Sequence, residues 1–322
     1  MENYWHSKNV LVTGGAGFIG STLARRLARE GARVAVTSRS ETPWRLEGSK
    51  DIEVHVVDLR EEDGVRRILA QVRPEFVFNL ASSLAHDQGT SDIEERIEQT
   101  FGIARSVVLA SVAADVRRIV HLGTIEEYGG LNVVADETMR ESPISPYSLG
   151  KVMATHFALT IGRLLNKEIC VVRPAATYGP TQGPGMLIPN LIAAGIEGRN
   201  FDMNKGEQMR DLIFVDDVVD GIVRVGAYEQ ASGHIFNLGS GTQVRIRDVV
   251  EGVLEHLQKP IEVNFGVHPY RPQDPALLAL NSQKARDLLR WRPTVTLRDG
   301  LKRTVTWYEQ HYQETHARYE KK

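Results

Sequence analysis

Sulfur chemistry is nearly absent from this chain, which has a single cysteine, Cys170, in 322 residues. No intramolecular disulfide can form. The apolar neighbours Ile169, Val171 and Val172 mark a buried, inert thiol, which suits a reducing cytoplasm. Also missing is any apolar stretch approaching the ~18 residues of a membrane helix. The polar opening residues lead straight into a β-rich run, so neither export nor a membrane partner is expected. Charge of one sign is lacking too. The 39 basic and 41 acidic residues leave a net charge of −2 and are interspersed. With no basic block to track a phosphate backbone, a nucleic-acid partner is not expected. Internal repeats, low-complexity linkers and any pattern calling for a metal are likewise absent.

What remains is 42% hydrophobic and 25% charged residues, enough for one large core or a large core with a smaller lobe. Strand-like and helix-like runs alternate. Short β-rich runs at 8–13, 33–37, 53–57, 76–80, 117–122 and 169–173 are separated by helical spacing at 18–30, 62–72 and 97–114. Near-continuous apolar strands separated by helices predict an α/β fold, a doubly wound parallel sheet with ligands at the carboxyl ends of its strands. Between 174 and 210 the regularity breaks into proline- and glycine-rich sequence, read as loops of a substrate lobe. Helices are expected again at 216–228, 246–257 and 299–312, with a strand at 235–238. The division expected is a dinucleotide-binding part over 1–173 and a mainly substrate-binding part over 174–322, some of whose segments return to the first core.

The run Thr13-Gly14-Gly15-Ala16-Gly17-Phe18-Ile19-Gly20 joins the first strand to the first helix. Its glycines fall where the turn is tight, where backbone approaches a pyrophosphate and where helix packs on strand. The helix N-terminus would then face the phosphates. Asp58-Leu59, after the third strand, is placed to meet an adenine edge, the plain alternative for Asp58 being a helix cap. At the end of the second strand, where an acidic residue would bind the ribose hydroxyls of NAD, the chain reads Ser38-Arg39. Arg39 would suit a 2′-phosphate, which favours NADP(H) over NAD; otherwise it is a solvated surface charge.

Tyr147 and Lys151 stand four apart, on one face of a helix. An ammonium beside a phenol favours phenolate, which makes an acid/base able to exchange a proton with a carbinol while hydride moves. Thr124 closes the fifth strand, where its hydroxyl would reach the same substrate oxygen. Glu126, two residues on, is a candidate second proton-transfer and substrate-contacting group, or else a solvated carboxylate.

Together these residues resemble the extended short-chain dehydrogenase/reductase family, the NAD(P)-dependent nucleotide-sugar epimerases, dehydratases and 4-ketoreductases. The resemblance runs through the glycine turn, Asp58, Asn79-Leu80-Ala81, Thr124, Tyr147 with Lys151, Arg173-Pro174, Tyr178-Gly179-Pro180, the run from Arg210 to Asp217, and Asn237-Leu238-Gly239-Ser240-Gly241. It implies a Rossmann-type fold with a smaller C-terminal substrate lobe, and a catalytic set of Thr124, Tyr147 and Lys151. It also implies cofactor contacts at Leu80 and Ala81, and a sugar-nucleotide diphosphate held by Arg210 and Arg271. The alternative for those arginines is ion pairing, Arg210 with Asp216 or Arg271 with Asp274. Asn190, in the segment expected to choose the nucleotide, is a further substrate candidate.

The resemblance also implies a homodimer through the helices at 97–114 and 146–165. Dehydratases of this family carry a polar residue where this chain has Ile125, whereas Glu126-Glu127-Tyr128-Gly129 is similar to the NADPH-dependent 4-keto-6-deoxyhexose reductases. Reduction of a nucleotide-linked 4-keto sugar is therefore the leading expectation. Epimerisation or dehydration with tightly held NAD is the alternative.

Overall fold

The computed structural model describes residues 3–82, 93–271 and 273–319. In chain order it begins β1 (Asn9–Thr13), α1 (Phe18–Arg29), β2 (Arg33–Ser38), β3 (Ile52–Val56), α2 (Glu62–Val72), β4 (Phe76–Asn79), α3 (Ile93–Ile97), α4 (Ile103–Ala113) and β5 (Arg118–Leu122). Next come β6 (Val134–Ala135), α5 (Pro146–Leu165), β7 (Glu168–Pro174), β8 (Ala176–Tyr178), α6 (Leu187–Glu197), β9 (Phe201–Met203), β10 (Met209–Phe214) and α7 (Val215–Ala227). The remainder is β11 (Ile235–Leu238), β12 (Gln243–Arg245), α8 (Ile246–Leu254), β13 (Val263–Phe265), β14 (Leu277–Leu280), α9 (Gln283–Leu289) and α10 (Leu297–Tyr319).

Seven strands form one parallel sheet in the order β11-β7-β5-β4-β1-β2-β3. Alternate side chains of each strand feed opposite layers, as a two-residue period requires. Val10, Val12, Phe76, Phe78 and Val172 pack with Leu23 and Leu27 of α1 and Val218 and Ile222 of α7. Leu11, Val77, Ile119 and Ile169 pack instead with Leu69 of α2, Val107 and Val108 of α4 and Ala158 of α5. Helices on both faces and strand order reversing between β4 and β1 make this a doubly wound, Rossmann-type sheet, with a crevice at that switch point. A second sheet runs β12-β10-β14-β6 with β8 beside β10, and β9 pairs with β13.

Two sequence expectations change. The segment 174–210 is not all loop, because it contains α6, β8, β9 and the start of β10. Pro189 lies in the first turn of α6, where a missing N–H costs nothing, and the helix ends at Gly198 with left-handed φ +68°. Proline and glycine therefore punctuate the ends of a helix there. The long helix expected at 97–114 starts at Ile93 and is interrupted by a π-turn over Glu98–Gly102. Thr100 of that turn is buried, and a Cβ on Gly150 of α5 would lie 2.9 Å from it. The Gly150 of Tyr147-Ser-Leu-Gly-Lys151 is thus a packing requirement between these helices. Cys170 is fully buried in the β7 layer, and burial raises its thiol to about 12, as an inert role requires.

Candidate active site

The glycine turn lies at the β1 end of the crevice. Gly14 adopts φ +67°, its N–H donates to Thr37 Oγ1 at 3.1 Å, and a Cβ on it would come within 2.9 Å of Ala81. Gly20 abuts the Gly14 carbonyl, so α1 can sit this close to the turn only without a side chain there. Helix α1 begins at Phe18 and Ile19, with Gly17 as an N-cap that offers no side-chain acceptor and no acidic residue in the first turn. Its free N–H groups and positive dipole end fit an anionic pyrophosphate. The β1 and β4 ends are tied by Thr13 Oγ1 donating to Asn79 Oδ1 at 2.8 Å, immediately before Leu80 and Ala81.

At the opposite side of the turn the strands β2 and β3 end together. Ser38 is buried and its hydroxyl accepts from Ser40 N at 3.0 Å, whereas Arg39 is exposed. Asp58 is not a helix cap, since α2 is capped at Glu61. Its carboxylate instead takes a fork from Arg60, Nε lying 3.0 Å from both oxygens, and the Arg60 N–H at 3.0 Å. These bonds, with a smaller contribution from the Arg39 charge, hold Asp58 down at about 2. The Leu59 side chain turns the other way, into the core layer of α2, leaving Asp58 as the half of the pair that offers a side chain to the crevice edge.

The third group is built on β5 and α5. Helix α5 starts at Pro146 behind a reciprocal cap, Ser145 Oγ accepting from Ser148 N at 3.1 Å and Ser148 Oγ accepting from Ser145 N at 2.9 Å. This sets Tyr147 in the first turn, with Lys151 one turn on. Lys151 is 2% exposed, its Nζ donates to Leu122 O at 2.7 Å, and it sits 5.8 Å from the centre of the Tyr147 ring. Burial draws the ammonium down to about 8 against the pull of Glu127. Burial also pushes the Tyr147 phenol far up, reinforced by Glu126 and Glu127, while the Thr124 side chain works in the opposite sense. Without a bound ligand Tyr147 is therefore a neutral donor at neutral pH.

Thr124 lies two residues beyond β5 as the cap of a short 3₁₀ stretch, its own N–H donating to Glu127 Oε1 at 2.9 Å. Beneath, His121 is buried beside Asn79 and pulled down to about 3 by burial and then by Lys151, so it stays neutral.

Glu126 is half-buried. Burial raises its carboxyl, and Arg271 and Arg210 act against that rise, which brings these three residues into one electrostatic neighbourhood with Tyr147. The ion pair given as the alternative for Arg210 has a different partner. It is Arg210 that bonds Asp274, while its Nη1 also donates to Met209 O and Pro275 O at 2.8 Å. Asn190 is exposed on α6 and accepts from Gly185 N at 3.0 Å within its own loop.

Sequence reasoning missed the support below this group. Arg173, fully buried on β7, donates to Glu127 Oε2 at 2.9 Å, to Glu141 at 2.7 Å and to the Tyr128 hydroxyl at 2.6 Å. Glu127 holds Thr124 from beneath through this pair. Both residues stood in recognised runs, but nothing local joined them. Among the described residues, no group of three or more His, Cys, Asp or Glu side chains could hold a metal ion, and no helix is long and apolar enough to cross a membrane.

A parallel sheet with a glycine turn at its switch point, and a helix carrying Tyr147 and Lys151 against the end of β5, defines a short-chain dehydrogenase/reductase of the extended type. Residues 10–239 match the NAD dependent epimerase/dehydratase family, and the chain belongs to that family. It is 32% identical to a UDP-glucose 4-epimerase of Mycolicibacterium smegmatis, over 92% of this chain and 97% of that protein. Identity to a dTDP-glucose 4,6-dehydratase of Neisseria gonorrhoeae is 30%, over 94% and 95%. An epimerase structure from Methanothermobacter thermautotrophicus superposes with a TM-score of 0.91 at 26% identity, over 98% of this chain and 97% of that one.

Proposed function

We propose that this protein reduces a nucleotide-linked 4-keto sugar at C4 with NADP(H), Tyr147 donating the proton. The reduced nicotinamide supplies the hydride when bound. The chain's own part is to hold and protonate the ketone oxygen. Thr124 and Tyr147 both offer hydroxyl donors beside the end of β5, and Lys151 lies close enough to stabilise the phenolate left after the proton has gone. Gly14, Gly17, Phe18, Ile19 and Gly20 would hold the pyrophosphate. Leu80 and Ala81 would line its far side, and Ser38, Arg39 and Asp58 the adenosine. Arg210, Arg271 and Glu126 would meet the substrate, with Asn190 at the rim.

The observation that carries reduction over dehydration is Ile125. It is 4% exposed and packs in the core, so the position between Thr124 and Glu126 offers no side-chain acid for a leaving hydroxyl. A second reading, 4-epimerisation with retained NAD, is favoured by the full-length similarity to a UDP-glucose 4-epimerase. The leucines at 109, 149, 164 and 165 and Met153 leave apolar surface on α4 and α5, which supports a homodimer closed through these helices.

The test is to purify the protein, identify any retained dinucleotide, and offer NADPH with UDP-, dTDP-, GDP- and CDP-linked 4-keto-6-deoxyhexoses. Stoichiometric NADPH oxidation with a C4 carbinol product supports reduction. Retained oxidised NAD with interconversion of C4 epimers and no net NADPH use overturns it.

A further inference from the structure

We infer that Arg60 sets the choice of dinucleotide through Asp58: by holding that carboxylate it keeps Asp58 from pairing with Arg39 and leaves Arg39 for the 2′-phosphate. This rests on the NADP(H) reading above. The register makes the three residues neighbours, because Ser38 faces Val56 and Val57 N donates to Ser38 O at 3.0 Å. Arg39 and Asp58 therefore leave adjacent strands side by side at the edge of the crevice. An unoccupied Asp58 carboxylate beside Arg39 would neutralise it, and would repel a 2′-phosphate as the acidic residue of an NAD site does.

The structure shows that carboxylate occupied. Arg60 reaches it from its backbone N–H and from its guanidinium fork, so Asp58 is turned toward its own loop. Within this trio two cations then stand against one anion, and Asp58 is directed to Arg60 rather than to Arg39. Removing Arg60 would leave one of each. Glu61 and Glu95 also lie within electrostatic reach of Arg60, so removing Arg60 would leave these carboxylates less well balanced too. Arg60 and Asp58 are both solvent-accessible, 58% and 37% for their side chains, which keeps the effect modest and salt-sensitive.

The test uses fragments that lack nicotinamide, so binding is read without turnover. 2′,5′-ADP and 5′-AMP are titrated calorimetrically into the intact wild-type protein, Arg60→Gln, and Arg60→Gln combined with Asp58→Asn. Thermal unfolding is followed to verify that each variant is folded. The expected result is that wild type prefers 2′,5′-ADP, and that Arg60→Gln lowers the preference by about five- to tenfold. The double variant should restore it. Any adenine contact of Asp58 is common to both ligands and cancels in the ratio.

If wild type prefers 2′,5′-ADP and Arg60→Gln leaves the ratio unchanged, the inference fails while the NADP(H) reading stands. If Arg60→Gln lowers the ratio and Asp58→Asn does not restore it, Arg60 acts on the phosphate directly and the route through Asp58 is overturned. If wild type shows no preference, the NADP(H) reading itself falls, and the inference with it.

Discussion

The two ends of the crevice use similar charged groups in opposite ways. At the β5 end, Lys151, Glu127 and Arg173 are buried, and each of the three is answered by a hydrogen bond to a named partner. At the β2–β3 end, Arg39, Asp58 and Arg60 stand in or near solvent. Burial moves proton affinities far in the first cluster, drawing Lys151 down to about 8 and His121 down to about 3. Solvent and salt hold the second to small effects, suited to choosing between two cofactors. On the proposed function, the buried charges would serve the chemistry and the exposed ones the choice of cofactor.

The largest effect that would break this contrast is in the support below Thr124. Arg173→Ala leaves Glu127 buried without its partner and should cost about 3–5 kcal/mol of unfolding free energy. Urea denaturation checks it, and a loss below ~1 kcal/mol, the level of a surface pair, would mean the buried network is unimportant. Next comes Tyr147→Phe, which removes proton donation and little else. Turnover should fall on the order of 10² or more, with dinucleotide affinity nearly unchanged. Steady-state rates and a binding titration measure both, and turnover within a few-fold of wild type would remove Tyr147 from the chemistry.

The pH dependence sharpens the comparison further. Burial lowers Lys151, so its ammonium form is held below pH about 8 and lost as pH rises through that value. If the ammonium is required, kcat/KM should decline on the alkaline side near pH 8. Lys151→Arg, which stays charged, should lack that limb whatever activity it keeps. A wild-type profile flat to pH 9.5 would contradict it. The smallest effect belongs to the exposed end. Arg39→Ala should weaken NADPH by about tenfold and NADH little. That difference should shrink as ionic strength rises from 0.05 to 0.5 M, because the pair sits in screened solvent. A difference insensitive to salt would show that Arg39 closes over the cofactor and is buried by it.

Much of this was legible from local pattern. The period of the strands and their alternation with helices led to the doubly wound sheet. The turn from Thr13 to Gly20, and Tyr147 four residues before Lys151, depend on neighbours in sequence, and their places after the first and fifth strands made the spacings readable. Where the reading went astray, the deciding neighbour was distant or the residue had a double meaning. Proline and glycine in 174–210 read as loop, although Pro189 and Gly198 bound a helix. The helix cap offered as the alternative for Asp58 falls instead to Glu61, and the Asp58 carboxylate bonds Arg60.

What the sequence by itself determined is therefore the order and type of the elements in the first sheet and the identity of the groups at its carboxyl edge. These follow from side-chain periodicity and backbone geometry over a few residues. Tertiary structure alone decided which charges meet. Arg210 finds Asp274, 64 residues away, and Arg173 finds Glu127 across 46. Such pairs need two distant segments brought side by side, and for Arg173 and Glu127 packing also removes the water that would otherwise solvate them, a condition that depends on the whole fold.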